Sequence, residues 1–196
     1  MSHVVSVDVQ LTDLDAIAKA ADACGLIFSK SSTYKWFGRH MGDYPLPAGF
    51  TASDLGKCDY KLSMKGVGYE VGLVRRDGKY TMLFDFWGST GRKLKQHLGG
   101  EDAAKFVAEY GFAAAQNAAQ SLGWMTERTA EGLKVYHPGG GYLTVNDASQ
   151  VEAFGFMGNG CTNATNELAA AMGSVNSQFA KPEANMIQQQ NFQAGE

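Results

Sequence analysis

The residues in this chain that are best placed to react or to bind a ligand are Cys161 and the glycines before it. The segment GFMGNGC follows a predicted strand and precedes a predicted helix, which places the thiol at a helix N-terminus. A thiol there meets the helix dipole and several free N–H groups, which favour the reactive thiolate. Cys161 is therefore a candidate reactive thiol. The alternative is a small buried residue in a strand-to-helix turn, since free cysteine is usually buried.

The same turn is also a candidate anion-binding site, with Gly158 and Gly160 as its residues. Backbone N–H groups at the start of a helix can hold a phosphate or another anion. However, the glycine spacing is neither a dinucleotide fingerprint nor a P-loop, and no lysine follows it. A plain tight connection is the alternative.

The other titratable residues form no catalytic or metal-binding pattern. Asp59 and Asp85 fall on predicted strands of one sheet, where paired carboxylates can support hydrolysis, but a structural role for Asp85 beside Trp87 is simpler. We therefore assign no catalytic residue. The four histidines lack metal-ligand spacing with one another or with the cysteines, so we expect neither a metal nor a cofactor. These histidines are His3, His40, His97 and His137.

Basic and aromatic residues interleave between Lys30 and His40, a composition typical of surfaces that bind single-stranded nucleic acid. The alternative is that Tyr34 and Trp36 fill the core while the charges are solvated. Two arginines also occupy a predicted hairpin tip. The candidate interaction surface consists of Lys35, Trp36, Arg39, Arg75 and Arg76.

Composition narrows the class of protein. With 196 residues, 44% hydrophobic and 19% charged, the chain is expected to be a globular protein. Residues 1–100 carry 13 basic and 10 acidic side chains, and residues 101–196 carry 4 and 10, a balance with no strong attraction for nucleic acid. No apolar run approaches the roughly 18 residues of a membrane span, no secretory signal is visible, and three distant cysteines fit a reducing compartment. We expect a cytoplasmic protein without a membrane partner.

The stretch from Cys58 to Trp87 carries the strongest strand signals. Asp77-Gly78 has the composition of a tight hairpin turn. The return strand Lys79–Trp87 is apolar on both faces, which predicts a central strand covered on both sides. Before it, Gly38–Lys57 reads as a long surface loop, a kind of segment that is often functional.

The remaining periodicities complete the predicted fold. An alternating strand ends at Leu11, and a helix capped by Thr12 runs to Gly25. A polar connection with a short helical turn, Gly88–Gly100, precedes a helix over about Glu101–Leu122. The second unit is predicted to contain strands Met125–Thr129, Leu133–His137, Tyr142–Val145 and Val151–Met157 and a helix at about Thr162–Met172.

These elements predict an α+β fold. We expect a mainly antiparallel sheet with helices packed on it, and a smaller strand-rich C-terminal unit closed by one helix. The corresponding units are residues 1–123, residues 124–173 and a polar, flexible tail at 174–196.

The order of several motifs resembles a known family. The alternating first strand precedes the helix TDLDAIAKAADACG, and the strand YEVGL precedes the DGKY hairpin and the strand end LFDFW. A helix with an aromatic–alanine run from Phe106 to Ala114 follows. Over about residues 1–145 this order resembles the hypothetical chloroplast reading frame thirty-five family, which is domain of unknown function twelve fifty-seven.

The segment VEAFGFMGNGCTNATNELAAAMG is similar to a second small family, domain of unknown function twenty-nine ninety-seven. Members of these families occur in cyanobacteria, plastids and phages, often encoded near an AAA+ ATPase, and neither family has an established activity. The resemblance implies a non-enzymatic accessory or interaction protein that acts as an adaptor for an AAA+ ATPase. The chain departs from both families in its Gly38–Lys57 loop and its glutamine-rich tail. The positions that match the second family are Gly158, Cys161, Thr165, Leu168 and Gly173.

Two other functions stay open at this point. One is a nucleic-acid-associated module that uses Lys30–His40 and the Arg75–Arg76 turn. The other is an enzyme that uses Cys161 as its nucleophile.

Overall fold

The computed structural model describes residues 4–39 and 46–173, which form two antiparallel sheets and four helices. The predicted α+β class is confirmed. The strands are β1 (Val4–Leu11), β2 (Ile27–Lys30), β3 (Tyr60–Ser63), β4 (Val71–Arg76), β5 (Lys79–Asp85), β6 (Met125–Thr129), β7 (Gly132–Tyr136), β8 (Tyr142–Val145) and β9 (Val151–Phe154). The helices are α1 (Leu14–Ala23), α2 (Gly88–Leu98), α3 (Ala104–Ser121) and α4 (Gly160–Gly173).

The two sheets are made of separate parts of the chain. The first has the strand order β1-β5-β4-β3-β2, and the second is a meander in the order β6-β7-β8-β9. The division into units at residue 123 stays a prediction, and the predicted flexible tail at 174–196 lies outside the described residues.

The start of α1 differs from the sequence prediction by one residue. Asp13, and not Thr12, is the N-cap: its Oδ1 accepts hydrogen bonds from the Asp15 and Ala16 N–H groups, at 2.9 and 3.2 Å. The Thr12 hydroxyl is instead buried without a hydrogen-bond partner among the described residues. A carboxylate is the stronger acceptor at a helix N-terminus, which explains the shift.

The connection predicted as polar between Gly88 and Gly100 is mainly a regular helix, α2, so that prediction is wrong in extent. Three residues bury one side of it, namely Gly91, Leu94 and Leu98. Their spacing of three and four residues is the helical one, but polar residues between them hide it in the sequence. Gly99, with a φ of 90°, ends the helix in the left-handed conformation that glycine favours at a C-cap.

Strand β5 is covered on both faces, as its sequence predicts. One face presents Tyr80, Met82 and Phe84 to the main core beneath the helices. The opposite face presents Leu83 to a second, smaller cluster. This smaller cluster contains buried Tyr34, Phe50 and Leu55, with Trp36, Leu46, Cys58 and Val74 packed against it.

The predicted surface loop Gly38–Lys57 is therefore more than a surface segment. Its residues 40–45 lie outside the described part of the chain. From residue 46 onward it has no helix or long strand, but it buries Phe50 and Leu55 against the first sheet. The loop supplies the layer that covers the second face of β5.

Helix α3 joins the packing of the two sheets. It packs beside α1 and α4 and against β6 and β7. Phe106, Tyr110 and Ala114 are fully buried, and so are residues on its other sides such as Ala115 and Ala119. Its small alanines allow close approach of neighbouring elements on several sides.

The close packing of Tyr34 on β4 gives a test of this layer. A Cβ at Gly72 would overlap the ring of Tyr34, so Gly72→Ala must displace that ring. We expect a loss of about 1–3 kcal/mol in the free energy of unfolding, measured by urea denaturation. Gly68→Ala is the matched control, because a Cβ there meets only the Thr90 methyl group at 3.5 Å. Equal stability of the two variants would contradict the packing.

Candidate functional site

Two buried carboxylates hold the backbone of the segment Tyr34–Phe37, which precedes the loop Gly38–Lys57. Glu70 accepts hydrogen bonds from the Lys35 N–H at 2.8 Å and from the Lys61 Nζ at 2.9 Å. Asp85 is fully buried and accepts from the N–H groups of Phe37 and Trp87, at 3.3 and 2.8 Å. Buried carboxylates are stable when they are paired in this way. Glu70 and Asp85 therefore position the backbone of residues 35, 37 and 87.

Arg76 is committed to holding the loop in place. Its guanidinium lies 3.7 Å above the ring of Phe50, donates to the Gly49 carbonyl and lies 3.4 Å from the Asp54 carboxylate. Arg75 has an exposed side chain, and its backbone N–H donates to Asp59 at 2.7 Å. The hairpin tip thus offers one cation to solvent, while the other is used in packing.

The rest of the predicted interaction surface is divided in the same way. Lys35 and Arg39 are exposed, and Trp36 is half-buried against the smaller hydrophobic cluster. The aromatic pair that faces solvent is instead Phe37 and Trp87, 39% and 41% exposed, with ring centroids 5.0 Å apart. Tyr34 is buried, so its predicted alternative role in the core is confirmed. His40, the end of the predicted stretch, lies outside the described residues.

The two aspartates that a hydrolytic site would need lie apart. Asp59 bonds to Arg75 near the hairpin turn of β4 and β5, whereas Asp85 ends β5. Tyr60 lies opposite Leu73, which pairs with Met82, so Asp59 lies near the level of Thr81, and at about 3.4 Å per residue this is roughly 14 Å along β5 from Asp85. The structure does not bring the two carboxylates together.

The Gly158–Cys161 turn is a compact connection. Gly160 begins α4, and its N–H donates to the Met157 carbonyl at 3.1 Å, so it is already used within the turn. Cys161 is half-buried, with its Sγ 3.8 Å from the Thr162 hydroxyl. A hydroxyl is not the base that activates a nucleophilic thiol. Gly158, with a φ of 58°, serves the turn conformation. Reactivity of Cys161 and anion binding at this turn stay predictions.

The open face of the second sheet carries a continuous apolar and aromatic row. Antiparallel pairing places Met125 opposite Tyr136, Tyr136 opposite Tyr142, and Tyr142 opposite Phe154. The rings of Tyr136 and Tyr142 are 6.0 Å apart, and those of Tyr142 and Phe154 are 5.3 Å apart at an angle of 18°. We call Met125, Tyr136, Tyr142 and Phe154 the aromatic row.

The aromatic row faces away from the core. The alternate residues of the same strands, Leu133, Val135, Leu143 and Val145, are buried beneath the sheet. In the row, Met125 is 72% exposed, Phe154 is 37% exposed and both tyrosines are half-buried. Side chains alternate between faces along a strand, so the row occupies one solvent-facing surface across all four strands.

A polar row lies beside the aromatic row on the same face. It consists of Glu127, Lys134, Thr144 and Glu152, which pair across the strands in that order. The Tyr136 hydroxyl donates to Glu127 at 2.5 Å, and Lys134 Nζ lies 5.4 Å from the centre of the Tyr142 ring. This hydrogen bond and cation–π contact hold two of the rings in place.

A groove of about 560 Å³ lies on the other side of the second sheet, between α3 and the β6–β7 turn. Arg128 lies at its wall, 3.5 Å above the ring of Phe112 and 2.9 Å from the Glu109 carboxylate. The volume suits a small molecule. However, Arg128 is already paired, and the groove is open to solvent, so the geometry indicates no particular ligand.

Two further features are absent from the described residues, namely a metal-binding cluster and a membrane-spanning helix. Among them no group of three or more His, Cys, Asp or Glu side chains is gathered around a point where a metal could bind. Within the same part of the chain, no helix has the length and apolarity needed to cross a membrane.

Comparison with known proteins defines no relative. No protein-family model matches the chain, and no match is found among the curated proteins or the solved structures. The fold and its surface therefore define the class as an α+β protein whose second sheet presents an open aromatic face. The family resemblance described from the motifs stays a prediction.

The aromatic row is the feature that sequence reasoning missed. Two of the strands, Met125–Thr129 and Tyr142–Val145, are predicted with the observed limits. A row across a sheet also requires the pairing register. The two-residue turn at Ala130-Glu131 sets the first register, whereas the sequence places this turn one residue later, at Glu131-Gly132. The longer connections after Tyr136 and Val145 do not reveal their register in the sequence.

Burial of Tyr34 predicts that the free energy of unfolding falls at alkaline pH. Desolvation raises the pKa of Tyr34 to about 12, with the Gly56 backbone offsetting part of the shift, whereas an unfolded tyrosine has a pKa of about 10. The stability from the neutral phenol is complete below pH 10 and is lost as the pH rises towards 12. Tyr34→Phe should therefore lose less stability over this range, by about 2–3 kcal/mol at full ionisation.

Urea denaturation at pH 7 and between pH 9 and 11.5 measures this difference. At pH 7 the variant should match the wild type within about 1 kcal/mol, because the hydroxyl makes no hydrogen bond of standard geometry to a described residue. Gly68→Ala, which leaves the Tyr34 phenol in place, should keep the wild-type pH profile. Identical profiles for Tyr34→Phe and the wild type would refute the assignment.

Proposed function

We propose that this protein is a non-enzymatic interaction protein that docks a protein partner on the aromatic row. The single observation that carries the proposal is the alignment of Met125, Tyr136, Tyr142 and Phe154 across the solvent-facing side of one sheet. A docking role also suits the candidate chemical groups, because the buried carboxylates Glu70 and Asp85 hold backbone and Arg76 holds the loop.

The composition of this face is that of a protein interface. Tyrosine, phenylalanine and methionine are enriched at interfaces, where they bury large areas at low entropic cost. A polar row with both signs of charge borders the apolar one, as a rim borders the centre of an interface. Helices α3 and α4 support the sheet from below, so the row is presented on a packed scaffold.

The partner class follows from the family resemblance. It suggests an AAA+ ATPase, for which this chain would act as an adaptor or accessory protein. The acidic balance of residues 124–173, with 2 basic and 5 acidic side chains, favours a protein partner over a nucleic acid at this face.

Removal of two rings should abolish docking. We expect the full chain to retain an AAA+ ATPase from native lysate in the presence of ATP, and the Tyr142→Ser/Phe154→Ser variant to lose it. The rings have solvent-facing surface, so the fold should survive, which far-UV circular dichroism would check. Affinity capture followed by mass spectrometry and an ATPase assay measures the difference.

Ile27→Ser is the control, since Ile27 is 58% exposed but lies on the first sheet. It should retain the same ATPase as the wild type. Capture that persists in the double variant, or recovery of the wild type as a lone monomer with nucleotide present, would disprove docking on the aromatic row.

A second candidate function is binding of single-stranded nucleic acid at Phe37 and Trp87. The observation that favours it is the exposed pair of rings, with exposed Lys35 and Arg39 close to Phe37 in the chain. Bases stack on such rings while cations contact the phosphates. This site differs from the predicted one, because Trp36 and Arg76 are used in packing.

Binding of labelled oligo-thymidylate at low salt tests this candidate. Stacking contributes about 1–3 kcal/mol per base, so Trp87→Ala should weaken binding by roughly 5- to 150-fold, and added salt should weaken it further. Met157→Ala removes a more exposed apolar side chain elsewhere and should change nothing. Absence of binding at low salt rules this function out.

A further inference from the structure

We infer that the partner segment docked on the aromatic row is cationic, with arginine or lysine side chains lying on the rings of Tyr136, Tyr142 and Phe154. The inference rests on the proposed function and specifies the chemistry of its partner. It is carried by two independent features of the open face, namely the ring arrangement and the charge around it.

The rings already hold one cation of this chain. Lys134 Nζ lies 5.4 Å from the centre of the Tyr142 ring, within the range in which an ammonium group is attracted to an aromatic face. Tyr142 and Phe154 lie nearly parallel, with 18° between their planes. A planar guanidinium stacks on surfaces of this kind more readily than an ammonium does, so arginine is the better occupant.

The charge beside the rings has the sign that such a partner needs. Glu152 lies on the edge strand β9, is exposed, and forms no ion pair with a described residue. Glu127, at the opposite edge on β6, is also exposed and accepts the Tyr136 hydroxyl. Carboxylates thus stand at both ends of the polar row, next to the ends of the aromatic row.

The same charges weigh against other occupants. A phosphate backbone would meet two carboxylates against the single Lys134, and would be repelled. A neutral sugar would gain stacking but no charge pairing. A cationic segment gains both, since each basic side chain can lie on a ring and pair with a flanking carboxylate.

Fluorescence anisotropy with a labelled hexa-arginine peptide tests the inference on the full chain. We expect binding that weakens at least tenfold in Tyr142→Ser/Phe154→Ser, although that variant keeps the net charge. Glu152→Gln should weaken it about threefold, and Ile27→Ser should leave it unchanged. A hexa-glutamate peptide, oligo-thymidylate and a neutral oligosaccharide, cellohexaose, should not bind at the aromatic row.

Unchanged hexa-arginine binding in the double variant would overturn the inference, because attraction by charge alone does not require the rings. Ring-dependent binding of cellohexaose or oligo-thymidylate that exceeds binding of hexa-arginine would also overturn it. If the captured partner depends on the rings but hexa-arginine does not displace it, the inference fails while the proposed function stands. If no partner depends on the rings, the proposed function itself fails.

Discussion

The structure depends above all on a helix that has almost no solvent-facing side. Helix α3 buries residues around most of its circumference, and its runs of alanine leave room for α1, α4 and the second sheet to approach it. It is also tied by polar contacts, since the Tyr110 hydroxyl accepts the Thr12 and Asp13 N–H groups and the Asn117 amide donates to Asp13. One element therefore sets the positions of both α1 and the sheet that carries the aromatic row.

The first sheet solves a different problem, that of a strand apolar on both faces. Helices cover one face of β5, and an irregular segment covers the other. Irregular backbone packs badly by itself, because its polar groups need partners. Here Glu70 and Asp85 supply acceptors for backbone N–H groups, and Arg76 supplies donors at the far end. Glu70, Asp85 and Arg76 are charged residues of the kind found in active sites, but here they hold the loop and the segment before it in place.

The sequence is sufficient for the class of fold and for most elements, since strong local signals determine them. The Asp77-Gly78 turn has positive φ at both residues, as its composition requires, and the two faces of β5 follow from simple alternation. Contacts between residues that are far apart in the chain are harder to predict from the sequence. The burial of Trp36, the pairing of Arg76 and the coverage by Phe50 and Leu55 arise from packing between residues far apart in the chain. The candidate nucleic-acid surface therefore consists of Phe37 and Trp87, while Trp36 and Arg76 take part in packing.

The register of the second sheet has a consequence for how this chain can vary. Tyr136 and Tyr142 are opposite each other because a connection of fixed length joins β7 to β8. If deletion of one residue from Pro138–Gly141 shifted the pairing by one residue, one strand would turn its other face outward, placing Tyr142 below the sheet and Leu143 above it. A β-bulge could absorb the change, at the cost of local pairing. The length of this connection and the face that the sheet displays are therefore coupled, because only a change that keeps Tyr136 paired with Tyr142 leaves both rings on the solvent side.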